Sequence, residues 1–170
     1  MARIVLIIAQ EGFRDEEYAV PRRILADAGH EVRTASRARG VAMGKLGMRT
    51  EAEFALDELK AADFGAIICV GGPGSTQFWD DAPLHTLLCE GLAQGKIIGG
   101  ICSAAVTLAR AGVLQGKRAT VFPGDADEFK PYVGQYTAGT CERDGLCVTA
   151  NGPAAAEEFG NTIRDALQRT

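Results

Sequence analysis

The stretch from Lys96 to Ala109 constrains this chain more than any other: Lys-Ile-Ile-Gly-Gly-Ile-Cys-Ser-Ala-Ala-Val-Thr-Leu-Ala. A short β-branched apolar run after a Gly-Lys turn predicts a buried strand. Good helix formers follow at once, with Val106, Leu108 and Ala109 among them and Gly112 as the stop, and they predict a helix. Cys102 therefore falls at a sharp strand-to-helix junction, with Gly99 and Gly100 leaving the backbone before it unobstructed. A cysteine at that junction lies near the N–H groups of the following helix. Those donors and the helix dipole favour the thiolate, the form that attacks carbon or is oxidised. The pattern is that of a nucleophile elbow with Cys in place of Ser. It fits equally a small buried cysteine packed behind a strand.

The remaining segments repeat the strand–helix theme. Ile4 to Ala9 is a continuous apolar run, as expected of a strand covered on both faces. After a polar loop at Gln10–Arg14, a helix is expected from Asp15 to Ala28, with Val20, Ile24, Leu25 and Ala28 on one face and Gly29 as its stop. Glu31–Ala35 and Ala66–Val70 read as strands, and the second runs into Gly71-Gly72-Pro73-Gly74. Val41–Met43 and Met48–Thr50 suggest a small hairpin around Gly44–Gly47, and Ala55–Leu59 a helical turn. Pro83–Gln94 reads as a helix, Arg118–Phe122 as a strand, Gly145–Thr149 as a strand after a turn at Arg143–Gly145, and Pro153–Arg169 as the final helix. This alternation predicts one domain over residues 1–170, an α/β fold with an open, largely parallel sheet. Ligands on such sheets bind beyond the carboxyl ends of the strands. The loops carrying Glu17, Gly71–Gly74 and Cys102 all leave that edge.

Composition narrows the function classes. In 170 residues, 46% are hydrophobic and 24% charged, and the formal net charge is −4. That balance argues against a nucleic-acid or acidic-membrane partner, and the basic residues between Arg33 and Arg49 are too spread out to form a patch. The five cysteines (Cys69, Cys89, Cys102, Cys141, Cys147) are odd in number and contain no CxxC pair, which points away from structural zinc and from a disulfide framework. The apolar start is too short for a signal-peptide core, and nothing reaches transmembrane length. A reducing cytoplasm is the expected compartment. The glycines at 71–74 match neither nucleotide-binding glycine spacing and read more simply as a tight turn.

Four blocks in order carry a resemblance: Glu17-Tyr18-Ala19-Val20-Pro21; Gly71-Gly72-Pro73-Gly74; Ile101-Cys102-Ser103 followed by Ala111–Lys117; and Asp144-Gly145-Leu146 with Thr149–Pro153. The chain resembles the ThiJ/PfpI superfamily, which includes protein deglycases and PfpI endopeptidases, over nearly its whole length. The resemblance implies a flavodoxin-like three-layer sandwich with a mostly parallel central sheet and a cysteine elbow. It implies Cys102 as the reactive nucleophile, a protonated Glu17 against its sulfur, and an anion or oxyanion site at the backbone N–H groups of Gly72 and Ser103. It also implies no cofactor or metal, and a homodimer or larger homo-oligomer. Taken from the residues alone, Glu17 fits an ordinary acid in a helix's first turn as well.

One departure bears on function. PfpI-type peptidases carry His directly after the nucleophile, where this chain has Ser103. The deglycase group carries His before the proline of the later strand, where this chain has Phe122 before Pro123. The only histidines, His30 and His85, are expected to have local roles; Asp125 and Asp127, just beyond Pro123, offer carboxylates near the site but are expected to be solvated loop acids. Two readings follow. One is a stress-response or redox-sensing protein in which peroxide oxidises Cys102. The other is a glyoxalase- or deglycase-type enzyme in which Cys102 and Glu17 act on a small reactive aldehyde. A cysteine peptidase is disfavoured because its base is missing.

Overall fold

The computed structural model describes residues 1–168. In chain order the strands are β1 (Arg3–Ile7), β2 (Glu11–Phe13), β3 (Glu31–Ser36), β4 (Gly40–Gly44), β5 (Arg49–Ala52), β6 (Phe54–Ala55), β7 (Ala66–Cys69), β8 (Ile97–Ile101), β9 (Arg118–Ala119), β10 (Gln135–Tyr136), β11 (Cys141–Asp144) and β12 (Cys147–Ala150). The helices are α1 (Asp15–Asp27), α2 (Ala82–Ala93), α3 (Ala104–Ala111), α4 (Ala126–Phe129) and α5 (Ala156–Gln168). The last helix was expected to reach Arg169, which lies outside the described residues.

The main sheet has seven strands in the order β11-β12-β8-β7-β1-β3-β6. All neighbours are parallel except the β11–β12 hairpin. The apolar runs explain why it is covered on both faces. Val5 and Ile7 of β1 join one core with Ile67, Ile98, Leu84, Leu88 and Leu108, beneath α2 and α3. Ile4, Leu6 and Ile8 join the other with Ile68, Phe159 and Ile163, beneath α1 and α5. Successive side chains of a strand point to opposite faces, so an unbroken apolar run is what a doubly covered strand needs. The result is the expected three-layer α/β sandwich. Among the described residues no helix is long and apolar enough to cross a membrane.

Gly99 and Gly100 do more than clear the backbone before the elbow. A Cβ on Gly99 would come within 2.8 Å of Ile68 Cδ1 and 3.2 Å of Phe159 Cζ, and one on Gly100 within 2.9 Å of Leu108 Cδ1. The two glycines let α5 and α3 approach the central strand from opposite faces.

Three expectations change. Arg118–Phe122 contributes only β9, which pairs in parallel with β10 outside the main sheet. The neighbouring position beside β12 is already filled by β11, whose last two residues fall in the turn expected at Arg143–Gly145. Thr120 is instead tethered through its N–H to Thr149 Oγ1 at 2.9 Å. The strand expected at Gly145–Thr149 begins later, at Cys147, because Asp144–Cys147 closes the hairpin. Glu11–Phe13, expected to be loop, forms β2 and pairs with β4, so the predicted hairpin becomes a three-stranded sheet, β2-β4-β5. Gly99→Val overpacks the centre of the fold; urea unfolding of the variant is expected to show stability lowered by about 1–3 kcal/mol.

Candidate functional site

The carboxyl ends of β1, β7 and β8 meet where α1 and α3 begin. Cys102, the first residue past β8, takes φ 60°, an uncommon backbone for a residue with a side chain. Its N–H donates to Ala150 O at 2.8 Å, and its carbonyl accepts from Ala105 N at 3.2 Å as α3 starts. The turn is thus held from both sides, and the predicted elbow is present. Cys102 is 7% exposed.

Glu17 sits in the first turn of α1 and is wholly buried, not solvated. Neither of its carboxylate oxygens has a hydrogen-bond partner of standard geometry. Its polar neighbours are the Cys102 thiol and the backbone of Gly71. Space for this contact exists because residue 71 is glycine. A Cβ there would lie 2.5 Å from Ile101 O and 2.7 Å from Cys102 Cβ, and closer still to Glu17 Oε1. Gly72, with φ +108°, turns the chain away, and Arg14 N–H donates to Gly71 O at 2.8 Å.

Burial pushes the Glu17 carboxyl up to about 7, against opposing effects from the Cys102 thiol and the Arg14 charge. Burial also pushes the Cys102 thiol up to about 12, and the neighbouring Glu17 charge pushes the same way. The Ser103 N–H and hydroxyl lower it, as expected of a helix start, but burial and Glu17 outweigh them. At both groups burial favours the protonated form. Two groups this close titrate as a pair.

Ser103 Oγ donates to Asp125 Oδ2 at 2.6 Å. Asp125 precedes α4 but makes no capping bond to it, and its side chain engages Ser103 instead. It is half-buried beside the site, a correction to the solvated acid expected from sequence; Asp127 is exposed. The Ser103 carbonyl accepts from Trp79 Nε1 at 2.9 Å. The histidines are local, as expected: His30 Nδ1 accepts from Ala2 N at 3.0 Å, and His85 Nε2 donates to Trp79 O at 2.8 Å.

A cavity of about 300 Å³ opens above Cys102. Gly72, Ser103 and Phe122 line it, together with Arg14 and Lys45. The last two were not anticipated. Arg14 had a signal, since it precedes the same helix start as Glu17. Lys45 had none, because only the β4–β5 turn brings it over the site. Among the described residues no three His, Cys, Asp or Glu side chains gather as a metal ion would need.

The matched family model is that of the DJ-1/PfpI family and covers residues 2–166. The chain belongs to the DJ-1/PfpI family. An uncharacterized Methanocaldococcus jannaschii protein is 33% identical over 99% of this chain and 83% of its own length. Deglycase PH1704 of Pyrococcus horikoshii is 28% identical over 88% of this chain and 90% of its own. The crystal structure of a ThiJ/PfpI domain protein from Brachyspira murdochii superimposes with a TM-score of 0.96 at 30% identity, covering 99% of this chain and 97% of that one.

A carboxyl whose pKa is raised by folding binds its proton more tightly in the native state. The stability it contributes is complete below its ordinary value of 4.5 and is lost as pH rises to about 7. Denaturant titrations across that window are expected to show stability falling by roughly 3 kcal/mol from this group, and the Glu17→Gln variant is expected to lack this component. An unchanged pH slope in the variant would show that Glu17 titrates normally.

Proposed function

We propose that this protein is a cofactor-independent enzyme of the glyoxalase or deglycase type, with Cys102 as nucleophile and Glu17 as the group that moves protons. The observation that carries the reading is the buried, unpartnered Glu17 carboxyl beside Cys102, beneath a cavity sized for a small molecule. Deglycase-named relatives from Pyrococcus abyssi and Pyrococcus horikoshii, 33% and 28% identical, support it.

The chemistry follows from where the proton goes. With the proton on Glu17, the Cys102 thiolate forms a bond to the aldehyde carbon of an α-oxoaldehyde. The carbonyl π pair becomes an alkoxide, and Glu17 protonates it to give a hemithioacetal. The Glu17 carboxylate then removes the hydrogen on that carbon to give an enediolate and returns it to the adjacent former ketone carbon, while the hydroxyl proton passes to the former ketone oxygen, leaving a thioester. Water attacks the thioester and releases the 2-hydroxy acid and the thiol. The sum is one α-oxoaldehyde and one water to one 2-hydroxy acid, an internal redox change that needs no outside oxidant. The N–H groups of Gly72 and Ser103 serve the developing oxyanion in this reading. The absence of an imidazole is tolerated because thiolate addition to an aldehyde expels no leaving group.

Methylglyoxal is expected to give lactate, measured enzymatically or by proton NMR. Cys102→Ala is expected to fall to background and Glu17→Ala by about 100-fold or more. Purified wild-type protein that produces no lactate above background would remove the reading. The reactive tautomer appears once the Cys102–Glu17 pair has lost its first proton. Iodoacetamide capture of Cys102 is therefore expected to rise with pH and level off near the Glu17 value of about 7; a rise that continues unbroken to high pH would show that Glu17 does not take the proton.

A redox-sensing role is the second reading. Toxoplasma gondii DJ-1, solved in an oxidized form, is 26% identical with a TM-score of 0.84. Under mild peroxide this reading requires a sulfinic acid on Cys102 before any oxidation of Cys69 or Cys141, read by peptide mass spectrometry. The dimer contact proposed with either reading is the β4–β5 hairpin, where Val41, Met43 and Leu46 stand exposed.

A further inference from the structure

Among the described residues lining the cavity above Cys102, the two with charged side chains are both cations, Arg14 and Lys45. Each is held in place. The Arg14 guanidinium bonds Glu16 through Nε and Nη2 at 2.9–3.2 Å, and that bond raises its pKa. Glu16 itself does not line the cavity.

Lys45 lies in the β4–β5 turn, and the turn is pinned to the start of α1. The Asp15 carboxylate, almost fully buried, accepts the N–H groups of Leu46 at 3.0 Å and Met48 at 2.9 Å. The Lys45 N–H donates to Phe13 O at 2.8 Å, and Gly44 N–H to Met48 O at 2.7 Å. A buried acid with both oxygens committed to one turn fixes where the next residue's side chain departs. No ion-pair partner within 4.0 Å is found for the Lys45 ammonium among the described residues.

The negative groups nearby are placed differently. Glu17 is wholly buried beside Cys102 and does not line the cavity. Asp125 stands behind Ser103, bonded to its hydroxyl. Asp127 and Glu128 are exposed on α4, and Glu128 is paired with Arg110. A cleft whose walls carry one sign of charge concentrates ligands of the other, and a guanidinium beside an ammonium is a fitting receptor for a carboxylate.

We propose that the cavity selects small aldehydes that carry a carboxylate, with Arg14 and Lys45 holding the carboxylate while the carbonyl meets Cys102. This rests on Cys102 being the nucleophile, as in the function proposed above. Within that substrate class it adds a preference for anionic aldehydes over neutral ones.

Two alkylating reagents isolate the charge. Iodoacetate and iodoacetamide share the attacked carbon and the leaving group: the thiolate forms the S–C bond as the C–I bond breaks and iodide departs. They differ in carrying a carboxylate or a neutral amide. Rates at Cys102 and at the exposed Cys89 are read in the same sample by peptide mass spectrometry at low salt, so Cys89 is the internal standard. The iodoacetate-to-iodoacetamide ratio cancels any change in thiol reactivity that the two reagents share.

The ratio at Cys102 is expected to exceed that at Cys89 by at least about tenfold, and to shrink as salt screens the cations. Lys45→Gln and Arg14→Gln are each expected to lower it, and the double variant to bring it to the Cys89 value. Arg49→Gln, outside the cavity lining, is expected to leave it unchanged. Lys45 is on an exposed turn, so its variant remains informative if the Arg14 variant folds poorly. A ratio at Cys102 no higher than at Cys89, or one that survives Lys45→Gln undiminished, overturns the anion preference alone. A Cys102 that reacts with neither reagent overturns the nucleophile reading and this inference with it.

Discussion

A carboxyl group sealed from water without a hydrogen-bond partner is costly, and the architecture around Glu17 shows what holds it there. The first turn of α1 brings it in from one side. The glycine after β7 leaves the space it occupies, and the elbow after β8 sets a sulfur against it. All three segments emerge from neighbouring parallel strands, so their separation is fixed by the sheet's own spacing. The energetic penalty is concentrated on one group, and the most direct relief open to it is to take up a proton. That coupling links the stability of the fold to the chemistry open to Cys102.

The elbow depends in turn on the central strand. β8 runs through two glycines, and the helices that follow it and cover it approach more closely than any side chain at those positions would permit. Cys102 adopts its left-handed backbone because β12 grips its N–H and α3 begins at once. Strain of this kind persists where surrounding structure over-determines it. Here the over-determination comes from two buried cores, one on each face of the sheet.

Around that floor the second layer of the site is polar and directional. Trp79 fixes the carbonyl of Ser103 and Asp125 fixes its hydroxyl, so the residue beside the sulfur has little freedom. Family membership is secured by a match over nearly the entire chain. The cavity wall of this chain carries Phe122, Arg14 and Lys45, and no imidazole lines it among the described residues.

Much was legible in the residues alone. Continuous apolar runs demanded strands buried on both faces, a strand–Cys–helix junction demanded an elbow, and the loops of a parallel sheet had to converge at one edge. The loops holding Glu17, Gly71–Gly74 and Cys102 could therefore be assigned to one edge, because local periodicity and chain direction suffice for that, whereas the roles of Gly72 and Ser103 rested on the family resemblance. The residues that escaped depend on contacts between segments distant in the chain. Lys45 reaches the cavity only because Asp15 pins a turn thirty residues away. Asp125 joins the site only because the stretch after β9 is excluded from a sheet edge that β11 already occupies. The balance of the Cys102–Glu17 proton was likewise beyond sequence: a helix start argues for a thiolate, but burial, which only the tertiary packing creates, acts more strongly and in the opposite direction.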